Sequence, residues 1–241
     1  HAQEDRLAQG LSPVSQAGGA PVAGDDPALQ PTPLIDSAHP LVRAFAERHA
    51  VGADERERAV ALYLAVRDGF RYDPYRVDLT PAGMRASAVI EKGHGWCVTK
   101  AALLAAACRA IGIAARVGYA DVRNHLSTER LRQALQTDVF YWHGYAELRL
   151  DGRWIKTTPA CYHELTERFG LLPLAWDGRE DSIYHPYDRA GHRHMEYLHQ
   201  RGSFDEVPLA QIVADFERHY PGWLLKQVAL VDAQADFGAD A

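Results

Sequence analysis

GHGWCVTKAALLAAACRAIG, residues 93–112, joins a glycine-rich turn to an alanine-rich run. The apolar residues that recur at helical spacing in this run are Ala101, Leu104, Ala105, Cys108 and Ile111. This spacing predicts a helix over residues 98–111, and Gly112 is a typical residue to end it. Cys97, the cysteine of the turn, therefore stands at the start of a helix.

A cysteine at this position is a candidate nucleophile. The free N–H groups and the dipole of a helix start favour a thiolate, so they predict a lowered pKa for Cys97 and reaction with iodoacetamide well below pH 8. Gly93 and Gly95 would let a substrate backbone come close to it. The alternative is a core cysteine without a chemical role, because free cysteines are commonly buried.

A histidine lies on a predicted strand downstream, over residues 139–150. One face of the alternating pattern is apolar and holds Phe140, Trp142, Gly144, Ala146, Leu148 and Leu150. The other face holds Tyr141, His143, Tyr145, Glu147 and Arg149. His143 would then point away from the apolar side, where a helix start could meet it. The alternative is a strand histidine that faces solvent.

The remaining patterns predict helices first and antiparallel strands afterwards. The predicted helices are 41–49, 54–70, 82–91 and one near 209–220, and the predicted strands are 114–122, 139–150 and 153–158. Asp151-Gly152 is a hairpin turn signal between the last two strands. This order predicts an α+β fold.

Three blocks of the sequence together resemble a known family. They are Gly95-Trp-Cys97 with its helix and Arg109-Ala-Ile-Gly-Ile-Ala-Ala-Arg-Val117, His143-Gly-Tyr-Ala-Glu147, and Gly152-Arg-Trp154-Ile-Lys-Thr-Thr158-Pro159. In order and spacing, over residues 55–160, they resemble the transglutaminase-like superfamily of papain-like cysteine enzymes, although Ala114 stands where proline is usual. The resemblance implies a papain-like core, with the nucleophile at the N-terminus of a helix packed on an antiparallel sheet.

The resemblance also implies that Cys97 is the nucleophile and His143 its base. We expect the Cys97 sulfur and one ring nitrogen of His143 to lie within about 4.5 Å of each other. The family's third catalytic residue is an aspartate just before the proline of the third block, and here that position is Thr158. A threonine hydroxyl can accept a hydrogen bond from the imidazole but supplies no charge.

Other residues could orient His143 in place of that aspartate. The candidates are Asn124 and His163 first, with Glu147 and Asp121 as further acceptors. For the oxyanion and the substrate, we expect contributions from the backbone N–H of Cys97, from Gly95, and from the indole N–H of Trp96 or Trp142. Trp142 could instead be a core aromatic residue, given its apolar face.

The domain organisation is predicted in three parts. Residues 1–33 are a flexible N-terminal arm, residues 34–161 the catalytic core, and residues 162–241 an extension whose irregular part, 162–202, is a candidate lid over the cleft. The histidines of that part fit no zinc-ligand spacing, so we expect no metal and no cofactor.

Composition excludes several function classes. The net charge of −6 gives no basic surface for nucleic acid, and no apolar run is long enough to span a bilayer. The three cysteines are too few for a disulfide framework, which favours the cytoplasm, although a removed signal peptide would leave no trace here.

The sequence therefore predicts a cysteine-dependent acyl-transfer enzyme that acts on a peptide or another amide through a thioester. Water as acceptor would make it a protease, amidase or deamidase, and an amine would make it a transglutaminase-type enzyme. The alternative is a catalytically degenerate relative that keeps the fold as a binding domain, for which Thr158 is the main support.

Overall fold

The computed structural model describes residues 24–125, 127–161, 163–171, 175–183, 188–222 and 236–240. Within them the α-helices are α1 (Pro40–His49), α2 (Glu55–Gly69), α3 (Pro81–Met84), α4 (Ala86–Lys92), α5 (Cys97–Ala110), α6 (Glu129–Leu135), α7 (His163–Arg168) and α8 (Leu209–His219). The strands are β1 (Arg71–Tyr72), β2 (His94–Gly95), β3 (Ala115–Asn124), β4 (Val139–Leu150), β5 (Arg153–Thr157) and β6 (Met195–Phe204). The described helices are all too short or too polar to cross a membrane.

Four of these strands form one antiparallel sheet in the order β5-β4-β3-β6. Helix α5 packs on β4 and β3, and Cys97 is its first residue. This arrangement confirms the predicted α+β fold, with the nucleophile position at the N-terminus of a helix on an antiparallel sheet. Strands β1 and β2 form a short parallel pair that leads into the helix.

Helix α5 is the centre of the core. Every residue from Cys97 to Arg109 is buried, because the sheet covers one side of the helix and α1, α2 and α4 cover the others. Small side chains make this enclosure possible, since alanines let neighbouring elements approach the helix axis closely. The alanine-rich composition of the run thus reflects burial on all sides.

Two long basic side chains of α5 are buried with it. The ammonium group of Lys100 donates to the carbonyl oxygens of Arg67, Phe70 and Ala160, at 2.9, 2.7 and 2.8 Å. Burial lowers the pKa of Lys100 to about 7. The three carbonyl oxygens accept all three N–H protons of its charged ammonium group. The lysine thereby connects the end of α2 and the turn after β5 to α5.

Arg109 holds the chain that precedes α1. Its guanidinium group donates to the carbonyl oxygens of Ala115, Gln30 and Asp205. Asp26 also forms an ion pair with Arg149 at 2.6 Å. Residues 24–33 are therefore packed on the core, so the expectation of a flexible arm is wrong for them; the rest of the expected arm, residues 1–23, lies outside the described residues.

Besides the two-residue strands β1 and β2, three elements were not predicted from the sequence: α6, α7 and β6. Helix α6 lies between the predicted strands 114–122 and 139–150, and the Thr128 hydroxyl caps it by accepting from the N–H of Leu131. Strand β6 lies within the part predicted to be an irregular lid, and it forms the edge of the sheet beside β3. Its sequence is polar and contains Gly202, as is common in edge strands, so it lacks the alternation that would have indicated a strand.

One predicted helix is divided into two. Residues 82–91 form α3 and α4 because Arg85 is extended between them, with φ −66° and ψ 146°. The backbone N–H groups released at this break are bound by the carbonyl oxygen of Leu34 and the carboxylate of Asp36.

The Lys100 contacts give a stability prediction. Lys100→Met would keep the length of the side chain but leave three buried carbonyl oxygens without their donor, and we expect the free energy of unfolding to fall by about 3 kcal/mol or more. Urea denaturation followed by circular dichroism measures this change.

The matched control is Lys92→Met. Lys92 is paired with Asp78 at the surface, where both side chains are about two-fifths exposed, so we expect a change within about 1 kcal/mol. Equal effects of the two substitutions would contradict a special role for Lys100.

Candidate active site

Cys97 lies against the strand that carries His143. Its side chain is 5 % exposed, and the backbone N–H groups of Gly144 and Val98 donate to its sulfur. A β-carbon at Gly144 would stand 3.0 Å from the Cα of Val98 and 3.2 Å from the carbonyl oxygen of Cys97. Only glycine lets the strand approach the helix start this closely.

A β-bulge in β4 sets the direction of His143. Trp142 has a positive φ of 60°, and the pairing with β3 shifts from Ala120–His143 to Val122–Phe140. The extra residue interrupts the strict alternation, so Phe140 and His143 line the same cavity. The predicted assignment of these two residues to opposite faces is therefore wrong, because it assumed an unbroken strand.

The imidazole of His143 borders a small cavity of about 40 Å³. Most of its wall is apolar and consists of Tyr72, Val122, Leu131, Phe140, Phe169, Leu171, Met195 and Phe237. The polar side chains around it are Asn124, His143, Cys161 and His194. A pocket with an apolar wall and a few polar groups is typical of a small-ligand or side-chain subsite.

Burial keeps both proposed reacting groups neutral. Burial raises the pKa of Cys97 to about 12, and this outweighs the hydrogen bonds from Gly144 and Val98, which favour the thiolate. Burial lowers the pKa of His143 to about 4, and the nearby ring of His194 lowers it further. The expected low pKa of the thiol is therefore wrong for this closed site, because desolvation exceeds the effect of the helix start.

Gly93 and Gly95 are required by the packing and the backbone conformation of the turn itself. A β-carbon at Gly95 would stand 2.8 Å from the Thr99 hydroxyl and 3.1 Å from both Lys100 and Val89. That space is filled by the protein, so Gly95 does not leave room for a substrate as expected. Gly93 has φ 73° and ends α4 in the left-handed conformation.

The two tryptophans behave differently. The indole N–H of Trp142 donates to Asp215 at 2.8 Å, and Arg201 stacks on the ring. The indole N–H is therefore not available to bind an oxyanion, and the expectation that Trp142 contributes to an oxyanion site is wrong. The alternative, a core aromatic residue, is the one that the structure shows. Trp96 precedes α5 and packs against Phe216, and its role near the oxyanion stays a prediction.

Thr158 does not reach His143. Its hydroxyl makes no hydrogen bond with any part of the chain that the structure describes, and the side chain is 2 % exposed. The hairpin pairs Ala146 with Thr157, so the register continues with Thr158 opposite Tyr145 and two residues short of His143. The predicted hydrogen bond from the imidazole to Thr158 is absent for this reason.

Most of the other candidates to orient His143 are engaged elsewhere. Glu147 pairs with Arg116 at 2.6 Å and accepts from the Ser203 hydroxyl. His163 is exposed at the start of α7, where its backbone N–H donates to Asp68.

Asp121 is likewise occupied, and one candidate remains. Asp121 accepts from Arg201 and from the backbone N–H of Trp142. Asn124 alone among the expected residues shares the cavity with His143, and its orienting role stays a prediction.

Three residues at the site were not singled out as site residues from the sequence. Tyr72 comes from β1, Cys161 from the turn that Lys100 holds, and His194 from the residue before β6. Only long-range pairing brings them together: His194 accepts through its backbone from the N–H of His125, next to the end of β3. Because β6 itself could not be predicted from its sequence, no local signal indicated the position of His194.

The expected lid reaches the cavity in part. Phe169, Leu171, His194 and Met195 belong to the predicted irregular segment 162–202 and line the cavity beside His143. The end of that segment is strand β6 and not a loop. Residues 162, 172–174 and 184–187 of the expected lid lie outside the described residues.

Comparisons with known proteins agree with the three sequence blocks. Residues 43–159 match the model of the transglutaminase-like superfamily, which confirms the resemblance. A solved structure of a candidate cysteine protease from Cytophaga hutchinsonii is similar over 74 % of this chain and 53 % of its own, at 16 % identity and a TM-score of 0.43. The chain thus spans about half the length of that protein. No curated protein gives a significant match.

The burial of Cys97 predicts the pH dependence of its reactivity. Because the pKa of the thiol is raised, we expect its alkylation by iodoacetamide to rise about tenfold per pH unit through pH 9, without a plateau near neutrality. Peptide mass spectrometry of the labelled protein measures the rate at Cys97 alone. A plateau below pH 8 would show that the helix start outweighs desolvation after all.

Proposed function

Because residues 43–159 form a transglutaminase-like domain, we propose that this chain is a cysteine enzyme that transfers the acyl group of a peptide or another amide through a thioester on Cys97. The observation that carries the proposal is the contact between Cys97 and Gly144, the residue directly after His143. It brings the thiol to the backbone of the residue next to His143, the expected base.

The pKa values define the resting state from which the reaction starts. Near pH 7 the raised pKa of Cys97 keeps the thiol protonated, and the lowered pKa of His143 keeps the imidazole neutral. A neutral imidazole can act as a general base, taking the proton as the sulfur attacks. Both shifts oppose this transfer while the site is closed, so the proposed reaction requires that the site first open to water or substrate, which reduces the desolvation that causes them.

The proposed reaction has two halves. Sulfur of Cys97 bonds to the amide carbonyl carbon while its proton passes to His143, and the carbonyl oxygen becomes an oxyanion that the backbone N–H of Cys97 can stabilise. The C–N bond then breaks, His143 returns the proton to the leaving amine, and a thioester remains. Water or a second amine attacks the thioester and regenerates the thiol. Hydrolysis is the simpler outcome because it needs no second binding site.

A peptide-binding domain without turnover is the second candidate. The specific observation in its favour is Thr158, whose hydroxyl is buried and bonds to nothing in the described chain, at the position of the family's aspartate. Without an acidic partner, an imidazolium formed during attack would lack charge stabilisation.

Replacing the nucleophile tests the enzymatic proposal. We expect Cys97→Ala to lower the hydrolysis of an activated ester or a dipeptide amide by at least about a hundredfold, since no thioester can form. Cys108→Ala is the control, because Cys108 is a fully buried thiol on the same helix, three turns away, and we expect its activity to stay within about threefold of the parent. Full activity of Cys97→Ala would refute the proposal.

Thr158→Asp distinguishes the two candidates. A carboxylate at residue 158 stabilises the imidazolium only if its longer side chain bridges the two-residue offset from His143; for a weakened triad of that kind we expect ester hydrolysis near neutral pH to rise at least about threefold. Thr158→Asn is the control, because asparagine has nearly the same shape as aspartate but carries no charge. Thr157→Asp is not used, since Thr157 is fully buried in β5. No turnover in the parent or in either variant would favour the binding domain.

A further inference from the structure

Residues 236–240, Asp-Phe-Gly-Ala-Asp, pack beside the candidate active site. Phe237 is 6 % exposed. Its ring meets Tyr72, Tyr75 and Phe169 at centroid distances of 5.6, 5.4 and 5.6 Å. Tyr72 and Tyr75 come from one segment and Phe169 from another, and together their rings form an aromatic socket around one side chain.

The carboxylates on either side of Phe237 are held by arginines. Asp236 pairs with Arg71 at 2.7 Å, and Asp240 pairs with Arg130 at 3.1 Å. Asp240 also accepts from the hydroxyl of Tyr75 at 2.8 Å.

A third arginine binds the backbone between them. Arg168 donates to the carbonyl oxygen of Gly238. Arginine side chains thus bind both ends and the middle of the segment, which is the arrangement expected of a groove that binds an acidic peptide.

This socket opens onto the cavity of His143. Phe237, Tyr72 and Phe169 are part of the same wall as the imidazole. With the segment in place, Cys97 is 5 % exposed and His143 is 6 % exposed. Its ion pairs, by contrast, are largely exposed: Arg71 and Asp236 are 58 % and 45 % accessible. Exposed pairs of this kind contribute little each, so the segment can exchange with a similar peptide.

We propose that residues 236–240 occupy, within the same chain, a subsite for substrate peptides that carry a phenylalanine flanked by carboxylates. The inference rests on the proposed function and adds a substrate class to it. While the segment is bound, it closes one wall of the cavity that His143 lines and competes with substrate; when it leaves, that cavity opens toward the thiol, and the aromatic socket and the three arginines receive the peptide.

Displacement of the segment is tested in the full chain. Phe237→Ala empties the socket, and we expect alkylation of Cys97 at pH 8 to become at least about fivefold faster. Asp25→Asn is the control for loss of an exposed acid, with an unchanged rate expected. An unchanged rate in Phe237→Ala would overturn the proposal.

A second variant covers the case in which Phe237→Ala does not fold. The double substitution Arg71→Gln with Arg130→Gln alters side chains that are 58 % and 40 % exposed, and it removes both ion pairs of the segment. We expect it to accelerate alkylation in the same direction. Alkylation at the parent rate in this variant would count against the proposal.

Binding in trans identifies the peptide chemistry. Acetyl-DFGAD-amide should slow the alkylation of Cys97 in Phe237→Ala back toward the parent rate, whereas acetyl-NFGAN-amide and acetyl-DAGAD-amide should not. Equal effects of the three peptides, or none, would refute the subsite. Absence of turnover with every substrate, together with protection by acetyl-DFGAD-amide alone, would refute the enzymatic proposal and leave the peptide subsite standing.

Discussion

The complete burial of α5 is the constraint on which the rest of the structure depends. A helix enclosed by a sheet and three other helices must be built of small residues, and every polar group that it carries needs a partner inside the protein. Lys100 and Arg109 meet this requirement with six backbone carbonyl oxygens, three each. These carbonyls belong to distant segments: Arg109 fixes the chain before α1 and the turn after β6, whereas Lys100 fixes the end of α2 and the turn that carries Cys161 into the cavity of His143.

The bulge at Trp142 determines how β4 places Phe140, His143 and Gly144 relative to α5 and the cavity. On one side of it, Gly144 touches the start of α5; on the other, Phe140 lines the cavity. Asp121 stabilises the bulge by accepting from the backbone N–H of Trp142, and Asp215 binds the indole. The acidic residues near the site therefore hold the backbone that presents His143, and among the described contacts they act on the strand and not on the imidazole.

Local signals were sufficient for much of the fold and for the position of Cys97 at a helix start. The glycine turn and alanine run predicted α5 and placed Cys97 at its first turn, and Asp151-Gly152 predicted the β4–β5 hairpin, because each depends on neighbouring residues. The roles of Gly95 and Trp142 could not be predicted, since they depend on what packs against them from other elements. The same limit applies to the pKa of Cys97: a helix start can be read from sequence, but the degree of desolvation depends on the whole fold.

The three hydrogen bonds of Lys100 also bear on local opening. Its acceptors lie at the end of α2, at the residue before β1 and at the turn before α7. None of these segments can detach alone without leaving part of a buried ammonium group unsolvated. They form a single cooperative unit. The turn that carries Cys161 into the cavity wall therefore cannot open unless the end of α2 opens with it. Access to the site would then come from residues held by weaker contacts, while the scaffold beneath Cys97 stays closed.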